Sequence, residues 1–128
     1  MPKTALPVKK LKKGETLFKE GERGTEAYLI KTGYVSVWRI EESKRVNLAT
    51  KAEGEIVGEM ALIDDTTRSA TITAESDIEV EVITKKQLRK MLSEAPDTLS
   101  AILHQLLESL RCANDLIAMY ASRPASPR

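Results

Sequence analysis

All six glycines of this 128-residue chain, at 14, 21, 24, 33, 54 and 58, lie in its first half, and no proline occurs between Pro7 and Pro96. Glycine lets a chain reverse at positive φ with little steric cost. A long stretch without proline keeps every backbone N–H available to a ladder or a helix. The front of the chain is therefore expected to be short strands broken by turns, and the back continuous structure. The length suits one domain and is enough to bury a real core.

Taken in order, 1–7 reads as a loose terminus, and Lys9-Lys10-Leu11-Lys12-Lys13 as a solvated edge. Thr16-Leu17-Phe18 is a short strand candidate, and Glu20-Gly21-Glu22-Arg23-Gly24 a turn by its glycines. Strands follow at 27–31 and 35–40, joined through Thr32-Gly33-Tyr34. The second alternates Val35 and Val37 against Ser36 and Trp38, a hairpin with both faces partly covered. A charged tip at 41–44 leads into the strand carrying Val46, Leu48 and Thr50, and Ala52-Glu53-Gly54-Glu55 turns the chain again. Later strands alternate at 69–74 (Ala70, Ile72, Ala74) and 78–83 (Ile78, Val80, Val82). Many short strands with glycine turns predict an antiparallel barrel or roll.

From Thr84 the period changes. Thr84 with Gln87 three residues on has capping-box spacing and predicts a helix over 85–93, with Leu88, Met91 and Leu92 on one face. Ala95-Pro96-Asp97 restarts the chain, and a second helix is expected to run to about Ala121. Leu99, Leu103, Leu106, Leu110, Ala113, Ile117 and Tyr120 form a heptad seam along it, flanked by Ile102, Leu107, Leu116 and Met119. So broad an apolar surface suits contact with the chain's own sheet and with a partner, a second copy or an effector. Residues 122–128 read as a second loose terminus.

Between these halves stands Gly58-Glu-Met-Ala-Leu-Ile-Asp-Asp-Thr-Thr-Arg68-Ser-Ala-Thr71. From Glu53 to Ser69 there are five acids and one base, Arg68. A glycine permits close backbone approach, a helical turn after it aims N–H groups at an anion, and Arg68 can close the other side. On these residues alone, an ordinary Glu59–Arg68 ion pair on a β edge is the favoured account.

The Gly-Glu, the small-residue turn and the Arg-Ser-Ala-Thr about ten positions on resemble the phosphate-binding cassette of cyclic-nucleotide-binding domains. The resemblance extends through Gly21-x-x-Gly24, Ala27-Tyr28-Leu29-Ile30 and Gly33-Tyr34-Val35-Ser36-Val37, and covers 8–121 as one domain. It implies an α+β fold: an antiparallel, jelly-roll-like β-roll with a short cassette helix and C-terminal helices. It also implies that the chain is a sensor of cAMP or cGMP, with a slight preference for cAMP, and that it carries no catalytic residues and no cofactor beyond that ligand.

The chemistry of such a ligand asks for a cation, an acceptor and an apolar wall. By the resemblance, Arg68 pairs with the cyclic phosphate and Glu59 accepts from the ribose 2′-hydroxyl. Gly58, with the Met60 and Ala61 amides, shapes the phosphate turn, and Ser69 adds a hydroxyl. Val37, Leu48 and Val57 line the base pocket, with Leu110, Ala113 and Asn114 of the last helix as candidates to close it. Thr67 stands where the family usually has proline, which leaves the loop less stiff, and Asp64 and Asp65 bring two acids near an anion site.

The remaining composition narrows the alternatives. A net charge of +1 from 20 basic and 19 acidic residues gives no reason to expect nucleic acid as a partner. Within these 128 residues no helix-turn-helix is expected after the last helix. One cysteine, Cys112, rules out an internal disulfide framework, and with one histidine, His104, it makes a metal or haem sensor a poor reading. No run of about 18 apolar residues exists to span a membrane, and a cytoplasmic setting is expected. The competing account of the same fold is a docking or dimerisation module that binds no ligand and works through the helical seam.

Overall fold

In a computed structural model the protein is described over residues 6–63 and 66–122, with side chains described for all of these except Thr66 and 114–122. Two compact units divide it, Met1–Leu88 and Arg89–Arg128.

The first unit is built on two antiparallel four-stranded sheets. One contains β1 (Val8–Leu11), β4 (Glu26–Thr32), β7 (Ile56–Val57) and β10 (Ile78–Thr84), in the order β1-β10-β4-β7. The other contains β2 (Thr16–Phe18), β5 (Tyr34–Glu41), β6 (Lys44–Ala52) and β9 (Thr71–Ala74), in the order β2-β9-β5-β6. A two-residue ladder joins β3 (Arg23–Gly24) to β8 (Thr66–Thr67). Each sheet takes strands from both ends of the unit, as a roll requires. The expected α+β, jelly-roll-like β-roll with C-terminal helices is the observed architecture.

Alternation of side chains fills the core. Ile30, Val35, Ile78 and Val80 are the largest side chains to be fully enclosed, and Leu11, Phe18, Tyr28 and Ile72 join them. The lysine-rich segment read as a solvated edge is in fact a strand: β1 pairs with β10 from Val8↔Glu81 to Leu11↔Ile78 at the border of its sheet. Its lysines stay exposed while Leu11 is buried. Lysine on a border strand also discourages pairing with other chains. Ser36, opposite in pleat to Val35, is buried too, its hydroxyl donating to the Glu75 carboxylate at 2.7 Å, so β5 is covered on both faces as expected.

The tip between β5 and β6 is tighter than the sequence suggested. Pairing continues to Glu41↔Lys44, leaving only Glu42 and Ser43 to turn the chain, both at positive φ of 52° and 68°. Lower down the same ladder Val37 faces Ala49 and Trp38 faces Asn47, so Leu48 lies at an irregularity between them.

Helix α1 (Lys85–Glu94) opens on the expected capping box. The Gln87 N–H donates to the Thr84 hydroxyl oxygen at 3.1 Å, and the Gln87 side-chain oxygen accepts from the Thr84 N–H at 2.9 Å. Helix α2 (Asp97–Ser122) dominates the second unit, with Asp97 in its first turn. Along its seam Leu99, Leu106 and Leu110 are 47%, 55% and 49% exposed, and the flanking Ile102 is 52% exposed, whereas Leu103 and Leu107 are half-buried, so the apolar stripe is open at the first four of these positions. Ile117 and Tyr120, also assigned to that seam, lie outside the residues whose side chains are described. Among the described residues no helix is long and apolar enough to cross a membrane.

Candidate functional site

Pairing of β4 with β7 sets Tyr28 opposite Val57, and the chain then turns at Gly58. Gly58 takes the left-handed conformation, φ 73° and ψ 21°, which costs glycine little and any side chain more. It opens a single 3₁₀ turn, Glu59–Leu62, inside which the Ala61 N–H donates to the Gly58 carbonyl at 3.1 Å. That amide is therefore engaged within the turn, whereas the amides ahead of it have no acceptor inside so short a helix. Ala61 and Val57 are buried, Met60 is half-buried and Glu59 is exposed. Asp64 and Asp65 lie outside the described residues.

After β8 the chain delivers Arg68, and the turn 20–24 holds its backbone from both sides. The Arg68 N–H donates to the Glu22 carbonyl at 2.7 Å, and the Gly21 N–H donates to the Arg68 carbonyl at 2.8 Å. The side chain runs inward and is only 8% exposed. Its Nη2 donates to the Glu26 carbonyl at 2.8 Å, and its Nη1 reaches the Gly58 carbonyl at 3.5 Å, the limit of a hydrogen bond. The guanidinium carbon sits 3.9 Å above the Phe18 ring and 5.9 Å from that of Tyr28.

The electrostatics are unusual for a buried arginine. Among the described residues no carboxylate pairs with Arg68, and Glu59, the partner the ion-pair reading required, is not one of its contacts. The Glu26 carboxylate instead accepts from the Tyr28 hydroxyl at 2.9 Å. Burial, and then that carboxylate, push the Tyr28 hydroxyl from its usual 10.0 to about 12, so it stays protonated. Carbonyl dipoles and an aromatic face stabilise the guanidinium without cancelling its charge. Among the described residues the guanidinium thus has dipolar and aromatic partners but no anionic one.

The other residues singled out from sequence are placed as follows. Ser69, next to the arginine, is exposed. Val37 is half-buried at the edge of the core, and Leu48 is 47% exposed on β6. Leu110 and Ala113 lie on α2 in the second unit, and the Asn114 side chain is outside the described residues. Four residues of the arginine's surroundings were given no role from sequence: Phe18, Gly24, Glu26 and Tyr28. Gly24 alone carried a readable signal, because a glycine inside a strand pair often marks a close approach of another group.

The fold is a β-roll that buries an arginine beside a glycine-led turn. The family profile described as "Cyclic nucleotide-binding domain" matches residues 8–95, and the chain belongs to that family. It is 34% identical over 95 residues to the cAMP-dependent protein kinase regulatory subunit of Yarrowia lipolytica, a match covering 74% of this chain and 25% of that protein. It is 30% identical over 108 residues to the cAMP-activated global transcriptional regulator CRP of Salmonella typhimurium, covering 83% of this chain and 51% of that one. The chain thus spans between a quarter and about half of the length of these relatives.

Among solved structures it resembles the EAL enzyme Bd1971 in a half-site-occupied form, with a TM-score of 0.82 and 34% identity, covering 86% of this chain and 99% of that one. The cAMP-bound and cGMP-bound forms of Bd1971 match with TM-scores of 0.65 and 0.66, covering 88% and 85% of this chain and 31% and 29% of those chains.

Proposed function

We propose that residues 8–121 act as a cytoplasmic cyclic-nucleotide sensor that binds cAMP or cGMP through the 58–69 cassette and relays occupancy through α2. The observation that carries this reading is the buried Arg68 guanidinium, held by two carbonyls and one aromatic face with no carboxylate partner among the described residues. Family membership supports it, as do the solved Bd1971 forms with cAMP and with cGMP bound.

In this reading Arg68 pairs with the cyclic phosphate, its planar fork matching two oxygens better than an ammonium would. Gly58 and the turn through Met60 and Ala61 bring backbone close to the same phosphate, and the exposed Ser69 hydroxyl adds a donor. Glu59, free of Arg68, accepts from the ribose 2′-hydroxyl. Val37, Leu48 and Val57 give the base its apolar wall. The activity is binding without covalent chemistry: the ligand favours one of two arrangements of the chain by its differential affinity for them. The open stripe at Leu99, Ile102, Leu106 and Leu110 is the surface we assign to a second copy or an effector.

That stripe also favours the second reading, a docking module of the same fold that binds no nucleotide. Isothermal titration with cAMP and cGMP in parallel, on protein unfolded and refolded to strip carried-over ligand, separates the two. Saturable one-to-one binding supports the sensor, and the ratio of affinities identifies its nucleotide. No heat with either nucleotide, from protein shown to be folded, refutes the sensor in favour of docking.

A further inference from the structure

Alone of the six glycines, Gly24 does not adopt positive φ. Its backbone is available to any residue, so the turn does not require glycine there. The surrounding space does. A methyl group built on Gly24 would overlap Nε and Cζ of Arg68 and lie 2.7 Å from its Cδ. At Gly14, Gly21 and Gly54, by contrast, the same methyl would meet nothing within 4 Å.

Near the other end of the guanidinium a methyl on Gly58 would come 2.7 Å from Nη1 and 3.2 Å from the Phe18 ring. The guanidinium therefore lies in a slot with two glycines as walls and Phe18 as floor. The Gly24 wall is built into the ladder that carries the arginine, since Gly24 pairs with Thr66 and Arg23 with Thr67, immediately before Arg68.

We propose that Gly24 is a positioning residue for anion recognition, its missing side chain being the space that lets the Arg68 guanidinium sit over the Phe18 ring and beside Gly58. This rests on the nucleotide reading above and deepens it. Nη2 is committed to the Glu26 carbonyl at 2.8 Å, while among the described residues the hydrogen-bond contact of Nη1 is the 3.5 Å one to Gly58. Nη1 is thus the nitrogen that meets a phosphate oxygen at the start of the 3₁₀ turn. Any side chain at position 24 pushes the guanidinium off its ring and turns Nη1 away, without disturbing Glu59, Ser69 or the apolar wall. Arg68 keeps its charge and loses its aim.

The test is a double-mutant cycle on the full chain. Affinity for cAMP and for cGMP is measured by titration for wild type, Gly24→Ala, Arg68→Met and the double variant, with thermal melts establishing that each is folded. Gly24→Ala is expected to weaken binding about tenfold or more, as misplacement of a contacting group by around 1 Å does. In the Arg68→Met background the same change is expected to cost less than about twofold, because the two residues act through one contact. Wild-type affinity in Gly24→Ala, or an equal loss in both backgrounds, overturns the proposal.

A measurement without ligand keeps this separate from the nucleotide reading. The Arg68 Nε–H resonance, assigned by its loss in Arg68→Met, is expected to be shifted upfield by the Phe18 ring and to lose that shift in Gly24→Ala. If wild type binds neither nucleotide, the sensor reading falls, and an unmoved resonance in Gly24→Ala still overturns the slot. If Gly24→Ala does not fold, Phe18→Leu removes the floor without adding bulk. It is expected to shift the same resonance and weaken binding, and no change in either refutes the slot.

Discussion

Replacing Arg68 with methionine separates the arginine's role in the site from its role in the fold. Methionine keeps an unbranched chain over the Phe18 ring but removes the charge and both donors. For the fold, the loss includes a 2.8 Å hydrogen bond that leaves the half-buried Glu26 carbonyl short of a donor, up to about 1 to 3 kcal/mol. The cation contact 3.9 Å above Phe18 is worth roughly 0.5 to 2 kcal/mol more.

Against this stands the removal of a guanidinium that is 8% exposed and has no carboxylate partner among the described residues. Exchanging buried charge for packed apolar atoms is often neutral or stabilising by about 1 to 4 kcal/mol. The two contributions nearly cancel, and urea unfolding is expected to give a stability within about 1 kcal/mol of wild type. Binding has no such compensation. The phosphate loses its charged partner, at a cost of about 2 to 5 kcal/mol, or roughly 30-fold to several-thousand-fold in affinity. A fall in stability of about 3 kcal/mol or more with nucleotide affinity unchanged would show Arg68 to be a strut of the roll, and would refute the reasoning.

Three further outcomes are expected. Glu59→Gln keeps an acceptor for the ribose hydroxyl and exchanges only a charge-assisted bond for a neutral one, so titration should show a loss of about 1 kcal/mol, and one as large as for Arg68→Met would contradict the assigned roles. Tyr28 has a folded pKa raised from 10.0 to about 12, so its contribution to stability is complete below pH 10 and is lost as pH rises toward 12. Urea melts should lose stability across that window, and Tyr28→Phe should flatten the decline; an equally steep decline in the variant assigns it to another group. Ser43→Gly relieves a φ of 68° at the two-residue tip and should raise stability by up to about 1 kcal/mol, whereas a drop would mean the Ser43 side chain contributes more than its backbone strain costs.

Much of the roll was legible because its signals are local. Alternation at Val35 and Val37 and at Ile78, Val80 and Val82 follows from the period of a strand. The Thr84–Gln87 box announced α1 through two hydrogen bonds made within four residues. The approach of Arg68 to Gly58 was legible for a similar reason, since the two lie ten positions apart in one short stretch.

What only tertiary structure decided concerns residues far apart in sequence. Strand β1 was hidden because its register with β10, about 70 positions away, and not its own lysine-rich composition, makes it a strand. The tight tip at Glu42 and Ser43 defied turn propensity because the long β5–β6 ladder enforces it. Sequence alone identified Arg68 as a cation near an anion-shaped turn. That it lies over Phe18, donates to the Glu26 carbonyl and fits beside Gly24 came from long-range strand pairing, which brings three separate segments around one guanidinium. A motif specifies which groups a site contains, because chemistry depends on residue type; the fold specifies which of those groups are buried and which neighbours they meet, because these depend on what the rest of the chain packs around them.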